Sequence, residues 1–323
     1  MNKSNLIIIG SGPGGYRAAE YAAKNGLTVT VIEAHEAGGT CLNCGCIPTK
    51  TLCRNAEAIE TLANAETFGI SVNGFQLNFN KVIERKREVV EKLRSGIETL
   101  MQMPGITFVR GFAHFTDAKT IAVGDDTYTA DNIIIATGSS SKCPPIEGLT
   151  LPGVVDSTQL LDIDHIPENL CIIGAGVIGM EFASIFNSFG SKVTVIEFMK
   201  ECLPVLDSDI AKRLRQTIGK RGVEFTMQSA VKSITTSTTE DGKQQLVVNY
   251  EKKGKPQQVN ADTVLIATGR KPNTDGLGLE LAGIEHSTKG IAVDDNFRTN
   301  INNVYAIGDV NGRCMLAHAA TFQ

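Results

Sequence analysis

No stretch of the 323-residue chain approaches the roughly 20 consecutive apolar residues that a helix needs to cross a bilayer, so a membrane-spanning helix is not expected. Charge of one sign is not in excess either. The 31 Lys and Arg stand against 35 Asp and Glu, a net charge of −4, so no strong field draws the chain to nucleic acid or to a membrane surface. Small-molecule partners are expected instead. The first residues lack the look of a secretory leader: Met1 to Asn5 run into only Leu6, Ile7, Ile8 and Ile9 before Gly10, which reads as a buried strand. A cytoplasmic location is the expectation that follows. With 42% hydrophobic and 20% charged residues the composition excludes a disordered or fibrous chain, and the length suits two α/β domains better than one core.

What the chain does contain is a repeat. Leu6-Ile7-Ile8-Ile9-Gly10-Ser11-Gly12 returns 164 positions later as Leu170-Cys171-Ile172-Ile173-Gly174-Ala175-Gly176. The same offset pairs Gly15 with Gly179, Gly26 with Gly190, and Thr30-Val31-Ile32-Glu33 with Thr194-Val195-Ile196-Glu197. Each copy reads strand, glycine turn, helix, strand, acid, which is a βαβ unit carrying a dinucleotide fingerprint. A second block, Ile133-Ile134-Ile135-Ala136-Thr137-Gly138, recurs as Val264-Leu265-Ile266-Ala267-Thr268-Gly269 at an offset of 131. The first copy thus holds 33 extra residues between its acid and its Ala-Thr-Gly strand, and a cysteine cluster lies in that interval. So does the segment 81–100, where Val82, Ile83, Val89, Val90, Leu93, Ile97 and Leu100 mark one face of an amphipathic helix.

Before each Ala-Thr-Gly strand, residues 108–130 and 231–260 alternate apolar and polar positions between turn signals and predict small antiparallel meanders. Residues 139–145, rich in Ser and Pro, form the expected crossing between domains. The boundaries that follow are 1–145, then 146–273, then a return of the chain to the first domain over 274–323. The fold class is α/β with two Rossmann-like dinucleotide-binding domains, each with its meander.

In both fingerprints the glycines, Gly10, Gly12 and Gly15 or Gly174, Gly176 and Gly179, let backbone turn tightly and approach a pyrophosphate at a helix N-terminus. Glu33 and Glu197 then meet an adenosine ribose; the first pattern also reads more blandly as a helix-strand packing device, and Glu197 as a surface acid at a strand end. A carboxylate repels a 2′-phosphate, and Phe198 and Met199 follow Glu197 with no arginine beside them, so the second copy favours NAD over NADP.

The segment Gly38-Gly39-Thr40-Cys41-Leu42-Asn43-Cys44-Gly45-Cys46-Ile47-Pro48-Thr49-Lys50 admits three readings. Cys41, Cys44, Cys46 and Cys53 could supply four thiolates to a metal, although two separated Cys-x-x-Cys knuckles are the usual arrangement and are missing. Cys41 and Cys44 have the spacing of a Cys-x-x-Cys redox pair. Cys41 and Cys46 form the third candidate pair. A helix beginning near Cys41 would favour negative charge on a first-turn sulfur, and Lys50, four residues past Cys46, would share its face.

Gly-Gly-Thr-Cys-Leu-Asn-x-Gly-Cys-Ile-Pro-x-Lys resembles the active-site signature of the pyridine nucleotide-disulfide oxidoreductases, and the resemblance runs through the whole chain. Leu42 and Ile47 look most like the lipoamide dehydrogenases of that family. The resemblance implies a Cys41–Cys46 disulfide, with Cys41 exchanging with substrate and Cys46 facing a flavin, and Lys50 near flavin N5 partnered by Glu181. It implies FAD held by Gly10, Gly12, Gly15, Glu33, Thr40, Lys50, Thr137, Gly138, Asp309 and Ala317. NAD is implied at Gly174, Gly176, Gly179, Glu197 and Gly269. The implied reaction converts dihydrolipoamide and NAD to lipoamide and NADH, serving the lipoyl groups of a 2-oxo acid dehydrogenase or glycine cleavage complex, in a homodimer. No metal is implied. Other reductases of the family, for glutathione or mercuric ion, and a non-catalytic nucleotide-binding redox sensor are the rival expectations.

Two departures stand out. Cys44 occupies a position that is commonly apolar in the family, and reads as a small space-filling residue. The chain also stops at Gln323 inside an apparent helix, before the family's interface domain with its His-Glu pair, so a fragment with weakened lipoamide turnover is expected.

Overall fold

The computed structural model describes residues 2–240 and 242–323. Two units divide the chain: one comprises Met1–Ile47, Glu88–Ser140 and Arg270–Gln323, the other Pro48–Arg87 and Ser141–Gly269.

The first unit is built on a seven-stranded sheet. Its strands run in the order Ile106–Arg110, Val29–Glu33, Asn2–Ile9, Asp126–Ile135, Thr120–Val123 and Ala113–Phe115, with Val304–Ala306 also paired to Asp126–Ile135. The isoleucine run of the first strand is continuous because both faces of that strand are covered. Ile7 and Ile9 point to one core with Phe115, Ile133 and Leu279, whereas Leu6 and Ile8 point to the other with Ala19, Ala22 and Met101. This is the alternation a strand imposes. Parallel pairing sets Ile7 opposite Thr30 on one side and Ile133 on the other.

Asp126–Ile135 is ten residues long and belongs to two kinds of pairing. It runs parallel to Asn2–Ile9 and antiparallel to Thr120–Val123. The antiparallel part therefore grows out of the main sheet rather than forming a separate layer. It also starts later than the alternation suggests, since Phe108 lies in Ile106–Arg110, a parallel neighbour of Val29–Glu33. Periodicity alone does not distinguish the two cases, because both strands alternate.

The second unit carries an all-parallel five-stranded sheet in the order Glu224–Thr226, Lys192–Ile196, Asn169–Ile173, Thr263–Ile266 and Val154–Val155. Its helix Val177–Phe189 buries Met180, Phe182, Ile185, Phe186 and Phe189. Here the meander stands apart as a three-stranded antiparallel sheet, Ser229–Thr238, Gln244–Lys252 and Lys255–Ala261.

The expected amphipathic helix extends over Phe79–Leu100. Val82, Ile83 and Val90 are buried, but Leu93 is 43% exposed and leaves the stripe. Among the described residues no helix is long and apolar enough to cross a membrane.

Candidate functional site

Both glycine turns have the same geometry, and the protein itself explains two glycines in each. Gly10 and Gly174 adopt φ of +102° and +107°, where a Cβ would lie 2.4 Å from the carbonyl oxygens of Ala136 and Ala267. Gly15 and Gly179 sit so close to the turn that a Cβ would lie 2.0 Å from the carbonyl oxygens of Gly10 and Gly174. The middle glycines differ. A Cβ on Gly176 would meet nothing within 4 Å, and one on Gly12 would only touch the Cα of Gly39 at 3.8 Å. Neither has a positive φ.

The space at each middle glycine lies at the start of a long helix, Pro13–Lys24 or Val177–Phe189. Neither helix has a side-chain cap or an acidic residue in its first turn. Helix starts leave N–H groups without partners and carry the positive end of the dipole. A cradle open at the middle glycine and uncapped behind it fits the pyrophosphate of a dinucleotide.

Glu33 and Glu197 are buried at the ends of their strands and hold the turns together. Glu33 Oε2 accepts the Ser11 N–H and the Ser11 hydroxyl, each at 2.7 Å, and Oε1 accepts the His35 N–H at 2.9 Å. Glu197 Oε2 accepts the Ala175 N–H at 2.6 Å, and Oε1 the Met199 N–H at 2.7 Å. Ser11 and Ala175 are equivalent in the repeat. The acid at each strand end therefore fastens the residue after the first glycine, and Glu197 is not the surface acid of its blander reading. Carboxylate oxygens have lone pairs left to accept from ribose hydroxyls.

The cysteine segment docks on the first turn. The Gly38 N–H donates to the Ser11 carbonyl at 3.0 Å, and Gly39, at φ +66°, packs so closely on Gly12 that a Cβ would lie 2.6 Å from its Cα. A short helix, Gly39–Cys44, carries Thr40 and Cys41. Asn43 donates to the carbonyls of Ala37 and Gly39 at 2.9 and 3.1 Å, tying that helix to the approach loop. The helix stops at Gly45, and a new one, Cys46–Ala63, begins at Cys46. A helix starting near Cys41 and running on is thus replaced by two helices with a glycine between them. Gly45 sits against the backbone it has just left: a Cβ would lie 2.9 Å from the Thr40 carbonyl oxygen and 3.3 Å from the Cys41 Cα. The sulfur at the head of a long helix is that of Cys46, not Cys41. Cys41, Cys44 and Cys46 are all half-buried.

Lys50 follows one turn after Cys46 along the helix Cys46–Ala63. Its Nζ lies 2.7 Å from Oε1 of Glu181, on the helix Val177–Phe189. Cys53 is close by; burial first, then the Glu181 carboxylate, pushes its thiol up against the pull of Lys50. Among the described residues no three His, Cys, Asp or Glu side chains are grouped so as to hold a metal ion.

At the ends of the Ala-Thr-Gly strands the turns are pinned by residues that the sequence motifs do not single out. The Thr137 hydroxyl donates to the Asn273 carbonyl at 2.7 Å, while the Asn273 side chain and N–H donate to the carbonyls of Thr137 and Gly138, each at 2.9 Å. Gly138 adopts φ +71° and Gly269 φ +120°, and the Gly269 carbonyl accepts the Lys142 N–H at 3.0 Å. Asp309 lies in the turn Gly308–Asn311, where its Oδ2 accepts the Ser139 hydroxyl at 2.5 Å. Ala317 opens the helix Ala317–Phe322, which packs on the first glycine helix: a Cβ on Gly14 would lie 2.9 Å from the Ala320 carbonyl oxygen. No motif singles out Gly14 or Asn273, because they pack on and bond to residues far away in sequence, whereas Asn43 and Gly45 stand inside the cysteine motif with roles that only the folded segment shows. For Gly14 the one available signal is that it directly precedes the fingerprint glycine Gly15.

Comparison with known proteins gives a consistent result. The family profile described as pyridine nucleotide-disulphide oxidoreductase matches residues 4–323. Dihydrolipoyl dehydrogenase of Acholeplasma laidlawii is 40% identical over 320 residues, covering 98% of this chain and 92% of that protein. Dihydrolipoyl dehydrogenase of Mycobacterium tuberculosis is 40% identical over 330 residues, covering 100% and 70%. Among solved structures, a Cu(II) complex of the HOCl-induced flavoprotein disulfide reductase RclA from Escherichia coli superimposes with a TM-score of 0.86 at 36% identity, covering 99% of this chain and 69% of that one.

Proposed function

The chain belongs to the pyridine nucleotide-disulphide oxidoreductase family, and on that premise we propose that it oxidises a dihydrolipoyl dithiol with NAD through a Cys41–Cys46 disulfide and FAD. Members of this family are disulfide oxidoreductases that use FAD and NAD. When bound, FAD supplies a two-electron relay and NAD the final hydride acceptor. The first glycine cradle with Glu33, Thr137, Gly138, Asp309 and Ala317 is assigned to FAD, and the second with Glu197 and Gly269 to NAD. Residues 1–145 and 274–323 are assigned to the FAD domain, and 146–273 to the NAD domain.

One substrate thiolate attacks Cys41 Sγ, forming a mixed disulfide and releasing Cys46 as the thiolate. The second substrate thiol then displaces Cys41, leaving the oxidised lipoyl ring and two reduced cysteines, so that two electrons and two protons have entered the protein. Cys46 is suited to be the leaving sulfur because it heads an 18-residue helix, whose positive end favours negative charge there. Lys50 adds a cation one turn on, and Glu181 holds that cation in place. The observation that carries the proposal is the Gly45 break, which puts Cys46 at the helix start while folding the chain back on Cys41. Glu197 supports NAD over NADP, since its carboxylate would repel a 2′-phosphate. The lipoyl group is proposed to be presented by a 2-oxo acid dehydrogenase or glycine cleavage complex, to a homodimer.

A second reading, reduction of a different disulfide by NADH with the same residues, is favoured by the likeness to the E. coli flavoprotein disulfide reductase. Anaerobic titration distinguishes the two. Dihydrolipoamide is expected to bleach the flavin of the wild-type chain, while Cys41→Ser and Cys46→Ser slow that bleaching by about 1,000-fold or more and leave bleaching by NADH intact. Bleaching of Cys46→Ser by dihydrolipoamide at the wild-type rate would remove the sulfur relay. Bleaching of the wild-type chain by NADH but not by dihydrolipoamide would favour the second reading.

A further inference from the structure

The 131-residue offset between the two Ala-Thr-Gly blocks also relates the residues that follow them, Ser139 after Gly138 and Arg270 after Gly269. In the folded chain these two equivalents meet within the first unit. Arg270 Nε donates to Ser139 Oγ at 2.7 Å, and a second guanidinium N–H donates to the Ser139 carbonyl. Two nitrogens of one planar guanidinium thus hold the same residue at two points. The Ser139 hydroxyl, accepting from Arg270, gives its own proton to Asp309 Oδ2 at 2.5 Å, and Arg270 Nε lies 3.9 Å from the same oxygen.

All three side chains are mostly buried, with Ser139 at 4% exposure. The backbone of Asp309 is held independently: Gln323 Oε1 accepts the Gly308 N–H at 2.7 Å and the Asn311 amide at 2.9 Å, and that amide also reaches the Ala306 carbonyl at 3.1 Å. The remaining freedom is rotation of the carboxylate, and Ser139 fixes it. Asp309 Oδ1 accepts no hydrogen bond from a described residue.

We propose that Ser139 and Arg270 are positioning residues for FAD, locking Asp309 through Oδ2 so that Oδ1 faces the hydroxyl-bearing chain of the cofactor. This rests on the assignment of Asp309 to FAD made above. Fixing the carboxylate beforehand removes an ordering cost from binding, and the Arg270 cation offsets the cost of keeping a charge mostly out of water. An arginine after the second Ala-Thr-Gly block, in the repeat that takes NAD, thereby serves the cofactor of the first.

The test is FAD affinity, read from flavin fluorescence as the full 323-residue apoprotein is reconstituted. Asp309→Ala is expected to weaken binding about tenfold, and Ser139→Ala and Arg270→Met each by about fivefold or more. Arg270→Lys recovers only part of the loss, because one ammonium nitrogen cannot occupy the two positions that Nε and the terminal nitrogen hold in the planar guanidinium. In the Asp309→Ala background neither Ser139→Ala nor Arg270→Met weakens binding further, whereas a general loosening of the unit would weaken it equally in both backgrounds. Equal losses in the two backgrounds overturn the proposal. So does a loss confined to Asp309→Ala, which leaves the Asp309 assignment standing. Unchanged affinity in Asp309→Ala overturns that assignment and the proposal with it. Should Arg270→Met not fold, Ser139→Ala, which removes a single oxygen atom, decides the matter alone.

Discussion

The three glycines of each fingerprint look alike in sequence and do different things in the fold. Gly174 is required by a left-handed backbone angle and by the Ala267 carbonyl 2.4 Å from its would-be Cβ, whereas Gly176 faces open space. Substituting each by alanine should separate stability from binding. Gly174→Ala combines backbone strain with a clash against main chain, and is expected to cost about 3 kcal/mol or more of unfolding free energy in denaturant titrations. Gly176→Ala should change stability by less than about 1 kcal/mol and yet weaken NADH binding severely, because the methyl would occupy the cradle proposed for the pyrophosphate. A stable Gly176→Ala chain that binds NADH as well as wild type would show that the cradle serves something else. The motif made all six glycines legible. It could not say which were there for the protein and which for its ligand, since that depends on atoms far away in sequence.

Loops between strand and helix show the same division at the next scale. The segment after Glu197 leads into the helix Ser208–Lys220, and is tied back by the Leu203 N–H on the Ala175 carbonyl at 2.9 Å. Within it Glu201 meets Arg215 in a two-point ion pair, Nε to Oε1 at 2.6 Å and a terminal nitrogen to Oε2 at 2.9 Å. Arg215 draws the Glu201 carboxyl down to about 2. The folded value lies below the unfolded one, so the pair contributes stability above pH ~4.5 and loses it as pH falls toward 2. Arg215→Met is therefore expected to be less stable than wild type at pH 7, by on the order of 1 kcal/mol after solvent screening, with the difference shrinking steadily below pH ~4.5. A difference that stays constant from pH 7 to pH 3 in urea unfolding would show that the pair does not act through this charge. No sequence pattern marks either residue, because 14 positions separate them and no helical or strand period links them. The break at Gly45 is a comparable case. The glycine was visible within the cysteine motif, but its close approach to the Thr40 carbonyl and the Cys41 backbone is seen only in the fold.

Taken whole, the molecule carries two copies of one strand-turn-helix device, each fastened by its own acid and proposed to hold a dinucleotide. Ligand binding raises stability by mass action, about 2.7 kcal/mol at a hundredfold excess over the dissociation constant. FAD and NADH should each raise the melting temperature of the apoprotein, and the acids should separate them: Glu197→Ala removes the NADH shift and keeps the FAD shift, and Glu33→Ala does the reverse. Loss of both shifts in either variant would mean that the two copies are not independent sites. The sequence by itself determined the α/β class, the duplicated βαβ units and the family, because strand and helix periods, glycine turns and a cysteine signature are local patterns that survive as text. The tertiary structure alone decided that the first meander grows from the main sheet, that Glu33 and Glu197 clamp Ser11 and Ala175, and that Ser139 meets Arg270. These are contacts between residues tens to more than a hundred positions apart, and their distances are set by which faces pack together, a quantity that no local period encodes.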